Sequence, residues 1–300
     1  MKNINLKRII ATIALSALTL NLAGCGENPA TPASTSAETF SSQENNSSAT
    51  ESSSSDEKIV LKGIVDLVPH SEIIEHVKPQ LEEQGITIEL VATAADPTTN
   101  ERLNAGEIDF NYFQHLPYLE SENEANGYDL VSAGGIHIEP ITAYSDKYAS
   151  VDELPENAIV AIPNDGTNEY RALRILEENG FIVLDPAAKD SLSASVKDIT
   201  EFKKKLEIVE IDSTQIIPSK DDYDFFITNT NKALEAGITS TKLFSEGKDS
   251  PYANIIAVRS EDLDDPAVKA LVDALLSEET QQWIADNYNG AVIPVIDLGN

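Results

Sequence analysis

Two hydrophobic rhythms take turns along most of this chain. Short apolar runs bounded by turn residues read as strands over residues 58–65, 86–92, 108–112, 158–162, 206–211, 225–228 and 254–258. Between them apolar residues recur at helical spacing. Residues 71–84 carry Ile73, Ile74, Val77 and Leu81 on one stripe, with a kink expected at Pro79 and Gly85 as the left-handed stop. Further helices are expected over 100–105, closed by Gly106, over 118–126, over 168–179, stopped by Gly180 with Ile175 and Leu176 inward, and over 229–236, ended by Gly237. An apolar stretch over 136–144 completes a first block, and helices over 267–276 and 279–288 finish the chain. Strand and helix in alternation predict an α/β protein with largely parallel sheet covered by helices. No internal repeat is visible.

The pattern fails at the N-terminus, and the failure is informative. Lys2, Lys7 and Arg8 precede an apolar run over 9–22, which ends in Leu22-Ala23-Gly24-Cys25. That run of roughly 14 residues is shorter than the roughly 18 a spanning helix needs, so residues 1–24 read as a cleavable export signal. Cys25, the only cysteine, stands where bacterial lipoproteins carry the residue that is diacylated after cleavage. Several acyl chains on one residue anchor firmly, at about 0.8 kcal/mol per buried CH₂. With that thiol used, no disulfide is available, and stability has to come from a packed core. Residues 25–57 are mostly Ser, Thr, Ala, Glu, Asn and Pro, a composition that buries too little to offset ordering and suits a disordered tether.

Charge excludes one class of partner. Lys and Arg number 21 against 51 Asp and Glu, a net charge of −30, and loss of Lys2, Lys7 and Arg8 with the leader makes the mature chain more acidic still. Nucleic acid needs a basic face to neutralise phosphates, and this surface repels them. Most of the acidity reads as solvated surface, and Lys203-Lys204-Lys205 as one wet helix face.

Three segments hold candidate chemistry. Phe113-Gln114-His115-Leu116-Pro117-Tyr118 follows a strand, where open α/β sheets place ligands; core packing is the competing reading. Pro163-Asn164-Asp165-Gly166-Thr167-Asn168 opens a helix with Arg171 one turn inside. A helix N-terminus and an arginine fork both suit a carboxylate, although Arg171 would serve equally in a surface ion pair. Thr228-Asn229-Thr230 is again a strand end, where an amide oxygen suits an ammonium and a hydroxyl suits a helix cap.

Together these segments resemble the NlpA family of methionine-binding lipoproteins, the solute-binding components of methionine ABC importers. The likeness runs over residues 58–291. It is carried by Gly106-Glu107-Ile108-Asp109-Phe110-Asn111-Tyr112 continuing into the 113–118 segment, and by Ile162 through Asn168 followed by Arg171. His137-Ile138-Glu139-Pro140 and Ser250-Pro251-Tyr252-Ala253-Asn254 match in type and order. The resemblance implies a two-lobed periplasmic-binding-protein fold, each lobe a mixed sheet with flanking helices and the ligand in the cleft between lobes. Lobe 1 would comprise 58–141 and 250–300 and lobe 2 residues 142–249, with the chain crossing near 140–145 and returning near 246–252. It further implies Phe113, His115 and Tyr118 around a methionine side chain, Arg171 on its carboxylate, and Asn168 and Asn229 on its polar end. The expected partners are L-methionine or a related amino acid, an ABC permease with its ATPase, and the membrane through the lipid anchor, on the extracytoplasmic face of the cell membrane.

Two positions depart from the family. Asp96, in Thr93-Ala94-Ala95-Asp96-Pro97-Thr98-Thr99-Asn100, stands where an aromatic usually contributes to the side-chain pocket, and Lys232 stands where many members have Tyr. An acid cannot stack on a thioether and is costly to bury unpaired. Either Asp96 faces water, or the protein takes a different amino acid or a short peptide. Enzyme chemistry finds little footing: Gly-x-Ser-x-Gly is absent and Cys25 is committed to the anchor, so no catalytic residue and no cofactor are expected. A metal-binding lipoprotein is the remote alternative, because His70, His76, His115 and His137 are dispersed in sequence and no His-rich tract is present.

Overall fold

The computed structural model describes residues 59–96, 98–188, 194–247 and 250–298. The expected leader, Cys25 and the expected tether lie outside these residues, as do Lys58 and Pro97. Among the described residues no helix is long and apolar enough to cross a membrane.

The chain first forms β1 (Ile59–Val65), α1 (His70–Glu83), β2 (Ile86–Ala92), α2 (Thr98–Asn104), β3 (Phe110–His115), α3 (Leu116–Asn126) and β4 (Leu130–Ile138). It continues through β5 (Thr142–Ser145), β6 (Ala158–Pro163), α4 (Gly166–Glu178), β7 (Ile182–Leu184), β8 (Ile199–Phe202), β9 (Leu206–Ile211) and α5 (Ser213–Ile216). After these come β10 (Phe225–Thr228), α6 (Thr230–Glu235), β11 (Thr241–Ser245), β12 (Ala253–Arg259), α7 (Pro266–Leu276), α8 (Glu278–Asn287) and β13 (Ile293–Pro294).

Two mixed sheets result. The first has the order β13-β4-β12-β3-β1-β2, the second β11-β5-β10-β6-β9, and β7 pairs with β8 separately. In the first, β1 runs parallel to β2 and β3 while β12 is antiparallel to β3 and β4. In the second, β6 is parallel to β9 and β10 while β5 is antiparallel to β10 and β11. The inner strands β3, β6 and β10 bury both faces, while β2 and β9 at the sheet edges stay partly exposed. On one side of the first sheet Leu61, Val65, Phe110 and Tyr112 pack against Ile73, Ile74, Val77 and Leu81 of α1 and Leu271 and Leu275 of α7. On its other side Ile64, Leu103, Ile108, Leu119 and Ile255 form a smaller cluster. The second sheet has its own core, with Val160, Ile162, Phe225 and Ile227 against Ala172, Leu173, Ile175 and Leu176 of α4. Each large aliphatic side chain so buried contributes about 1.5–3 kcal/mol.

Close approach fixes one glycine. Gly63 of β1 pairs with Phe110 of β3, and a Cβ there would lie 2.2 Å from the Phe110 ring, so only glycine lets the ring lie across β1. The helix stops also behave as their residues dictate: Gly85 and Gly180 follow α1 and α4 with φ of +79° and +74°.

Three expectations change. The third strand, expected over 108–112, begins at Phe110 and runs to His115. Asp109 ties the turn before it to β1 by donating its N–H to the Lys62 carbonyl and accepting the Lys62 N–H. The apolar stretch over 136–144 is two strands in different sheets, parted at Pro140, which lacks the N–H to continue a ladder. Strands β7, β8, β11 and β13 and the four-residue α5 went unpredicted, being too short to display a period.

Candidate functional site

A cavity of about 400 Å³ opens between the two sheets. The first sheet brings the residues that follow β1, β2 and β3, together with Asn254 at the start of β12; the second brings those that follow β6, β9 and β10. The carboxyl ends of parallel strands are where open α/β sheets leave a crevice.

One wall is aromatic. The register between β12 and β3 pairs Ile256 with Tyr112 and Ile255 with Gln114, leaving Phe113 as the extra residue of a bulge. Such a bulge re-aims side chains, and Phe113 lines the cavity. His115 ends the strand and caps α3, its Nδ1 accepting the Tyr118 N–H at 3.2 Å. The cap sets Tyr118 edge-on to Phe113, with ring centroids 6.2 Å apart, and 6.3 Å from His115. Because Nδ1 accepts, Nε2 carries the proton and donates to Asn168 Oδ1 at 3.3 Å. Burial, reinforced by the Arg171 charge, pushes the His115 pKa down to about 3, so the imidazole is neutral.

The facing wall is a polar hub on α4. Asp165 caps this helix, accepting the Asn168 N–H and side-chain amide at 2.9 Å each. Asn168 Oδ1 thereby turns inward and accepts Asn229 Nδ2 at 2.9 Å and Arg171 Nη1 at 3.2 Å besides His115. Arg171 is buried, 2% exposed, and more heavily engaged than its sequence position suggests. Its Nη2 donates to Glu246 Oε2 at 2.6 Å and to the Glu139 carbonyl at 2.8 Å, and its Nε reaches Glu246 Oε1 at 3.3 Å. The guanidinium also stacks over Tyr252, 4.5 Å from the ring centroid. Among the described residues these contacts use four of its five N–H groups, and the fifth is on Nη1 of a side chain that lines the cavity.

All seven cavity residues singled out in the sequence, Asp96, Phe113, His115, Tyr118, Asn168, Arg171 and Asn229, line this one cavity. Asp96 does so as an exposed helix cap: Thr98 donates both its N–H, at 2.8 Å, and its hydroxyl to Asp96 Oδ1. Asp165 and Asp212 are likewise caps of α4 and α5, so all three carboxylates sit on helix N-termini that favour them. Lys232 is not solvent-exposed, its side chain retaining 15% of its surface beside Asp66.

Sequence reasoning passed over Asp66, Glu139, Asn231 and Asn254, which also line the cavity. Asp66 follows β1 directly, and the strand-end rule that picked out Phe113 would have found it. The apparent dispersion of the histidines is corrected as well, for His70 and His137 lie with ring centroids 5.0 Å apart beside Glu139. Ligand atoms of His70, His137 and Glu139 fall within 4.8 Å of one another, close enough to hold a metal ion. Hydrogen bonds already account for much of this trio. Tyr112 Oη is bonded to His137 Nδ1, His137 Nε2 donates to Glu139 Oε1 at 2.8 Å, and His70 Nε2 faces Asn254 Oδ1 at 3.0 Å. Burial pushes the His137 pKa down to about 3 and raises that of Glu139. His137 and the Asn231 N–H, which reaches the other oxygen at 3.1 Å, thus brace the Glu139 carboxylate at the cavity.

Comparison with known proteins agrees with this geometry. The NlpA lipoprotein model matches residues 63–296. The methionine-binding lipoprotein MetQ of Bacillus subtilis is 36% identical over 233 residues, 76% of this chain and 85% of that relative. The D-methionine-binding lipoprotein MetQ of Salmonella typhi is 39% identical over 216 residues, 71% of this chain and 79% of the relative. A nutrient binding protein from Burkholderia cenocepacia, solved bound to methionine, superposes with a TM-score of 0.75 at 38% identity, covering 79% of this chain and all of the other. A two-lobed solute-binding fold with its cavity between the sheets, matched by the family model over nearly all of its folded length, makes this chain a member of the NlpA lipoprotein family.

Proposed function

We propose that the protein captures methionine in the cavity between its sheets and hands it to an ABC permease and its ATPase, as a binding protein without catalysis. The observation that carries this reading is the pairing of an aromatic wall, Phe113, His115 and Tyr118, with the Asn168 hub and the remaining Arg171 N–H across one cavity. A zwitterion with a thioether tail needs both halves. The thioether lies along the aromatic edges, a contact worth about 0.3–1.5 kcal/mol. The ligand carboxylate takes the Arg171 N–H together with Asn168 and Asn229, and the ammonium faces the braced Glu139 carboxylate. Lobe 1 comprises 58–141 and 250–300 and lobe 2 residues 142–249, joined by two crossings, and the ligand bridges both. Cys25 carries the lipid that holds the protein on the extracytoplasmic face of the membrane.

The test starts from full-length protein. Denaturation is expected to release methionine, identified by mass spectrometry, and calorimetry on the emptied protein is expected to report methionine as the strongest binder among the common amino acids. A released molecule that is not an α-amino acid would overturn the reading. Cys25→Ala chains are expected in the soluble fraction; their persistence in salt-washed membranes would remove the anchor.

Asp96 is compatible with methionine because it is exposed, so that water screens its charge while its Oδ1 accepts from Thr98. Asp96→Ala is expected to cost about 1 kcal/mol of stability through the lost cap and to leave the ligand ranking unchanged. A thermal-shift panel in which wild type prefers lysine or arginine, and the variant does not, would contradict this.

A further inference from the structure

Among the carboxylates at the cavity, one faces a lysine from the opposite lobe. Asp66 follows β1 of the first sheet and is 3% exposed. Lys232 belongs to α6 of the second sheet, and its Nζ lies 3.0 Å from Asp66 Oδ2. Asn231, from the same helix, donates its side-chain amide to that oxygen at 2.8 Å and its backbone N–H to Glu139 Oε2 at 3.1 Å. The other Asp66 oxygen accepts the Leu67 N–H at 2.9 Å. Glu235, one turn along α6, lies 3.6 Å from Lys232 and is the more exposed of its two acids. The contact joins an element of the first sheet to one of the second.

We propose that the Asp66–Lys232 ion pair sets the charge selectivity of the site. Asp66 lies beside Glu139, and without Lys232 two carboxylates of like sign would face the polar end of one ligand. With Lys232 in place the Asp66 charge is cancelled, as Glu246 cancels that of Arg171, and Glu139 remains to meet a single ammonium. That arrangement suits a zwitterion and discriminates against a net cation. Removing Lys232 leaves Asp66 in position, because Asn231 and the Leu67 N–H still hold it, and adds one uncompensated negative charge to the cavity. An unpaired charge within several ångströms of a ligand, at an effective dielectric near 20, shifts relative affinities by at least about tenfold.

This inference rests on the amino-acid reading above. Its test compares L-methionine with L-methioninamide, which is cationic, and N-acetyl-L-methionine, which is anionic, by calorimetry on wild type, Lys232→Met and Asp66→Asn/Lys232→Met. Wild type is expected to prefer methionine. In Lys232→Met the ratio of methioninamide to methionine affinity is expected to rise at least about tenfold and that of the acetyl compound to fall, with both ratios returning toward wild type in the double variant. A looser cleft would weaken all three ligands together and leave the ratios in place. Unchanged ratios in Lys232→Met, beside normal methionine binding by wild type, would overturn the inference alone. Wild type that binds no α-amino acid would overturn the reading of the site and this inference with it.

Discussion

Arg171→Lys is expected to weaken methionine binding by roughly ten- to a hundredfold, the equivalent of losing one charged hydrogen bond of about 1.5–3 kcal/mol. The guanidinium spans Glu246, the Glu139 carbonyl and Asn168 Oδ1 at once while leaning on Tyr252. A lysine ammonium is a point charge on a flexible stem. It can still neutralise Glu246, but it cannot hold that carboxylate and present a donor to the ligand from a rigid plane. Arg171→Ala is the less informative substitution. It would leave Glu246, whose side chain is 13% exposed, without its partner, and breaking a buried pair from one side costs about 3–5 kcal/mol, less where water reaches the group. Alanine would thus lower stability and affinity together, whereas lysine separates them. Calorimetry and thermal unfolding of Arg171→Lys provide the check, and wild-type affinity in a folded variant would remove the carboxylate role.

The double engagement of Arg171 also marks where reading the sequence stopped. A strand, a turn with a capping residue and an arginine one turn inside pointed to a site at residues 163–171, since local spacing determines where a side chain near a helix start can reach. Nothing local pointed to Glu246, which pairs with Arg171 across 75 positions. The same split runs through the fold. Helix α1 was legible from its apolar stripe and β2 and β9 from their apolar runs, because burial of one face imposes a period. Sheet order was not, since antiparallel insertion of β12 between β3 and β4 depends on a return of the chain from the second sheet. Asp96 was readable as an anomaly but not as a cap, because its cost depends on whether Thr98 turns back toward it. His70, His137 and Glu139 come from α1 and the end of β4, and their convergence is likewise a product of tertiary packing.

Acidification offers a second large effect, in the stability that His115 contributes. Its Nδ1 accepts the Tyr118 N–H and its Nε2 donates to Asn168, so a second proton would face a donor and stand near the Arg171 charge. Burial and that charge hold the folded-state pKa at about 3, against 6.5 for the free side chain. The unfolded chain therefore binds a proton first as pH falls. The contribution is fully present above pH 6.5 and is lost progressively toward pH 3, by about 1.4 kcal/mol per pH unit. His137, lowered to about 3 by burial, acts in the same direction. Glu169, pushed up to about 7 chiefly by burial, acts oppositely between pH 7 and 4.5, and Glu139, whose pKa burial raises, acts in that same sense. The raw pH profile mixes these signs, so the informative quantity is the stability difference between wild type and His115→Gln. At pH 7.5 wild type is expected to be the more stable by about 1 kcal/mol, through the α3 cap and the Asn168 bond. By about pH 4.5 the order is expected to reverse, since two pH units remove more than that advantage. Denaturant titrations of both proteins across this range measure the difference directly; a difference that stays constant with pH would mean that His115 is not held neutral at the cleft.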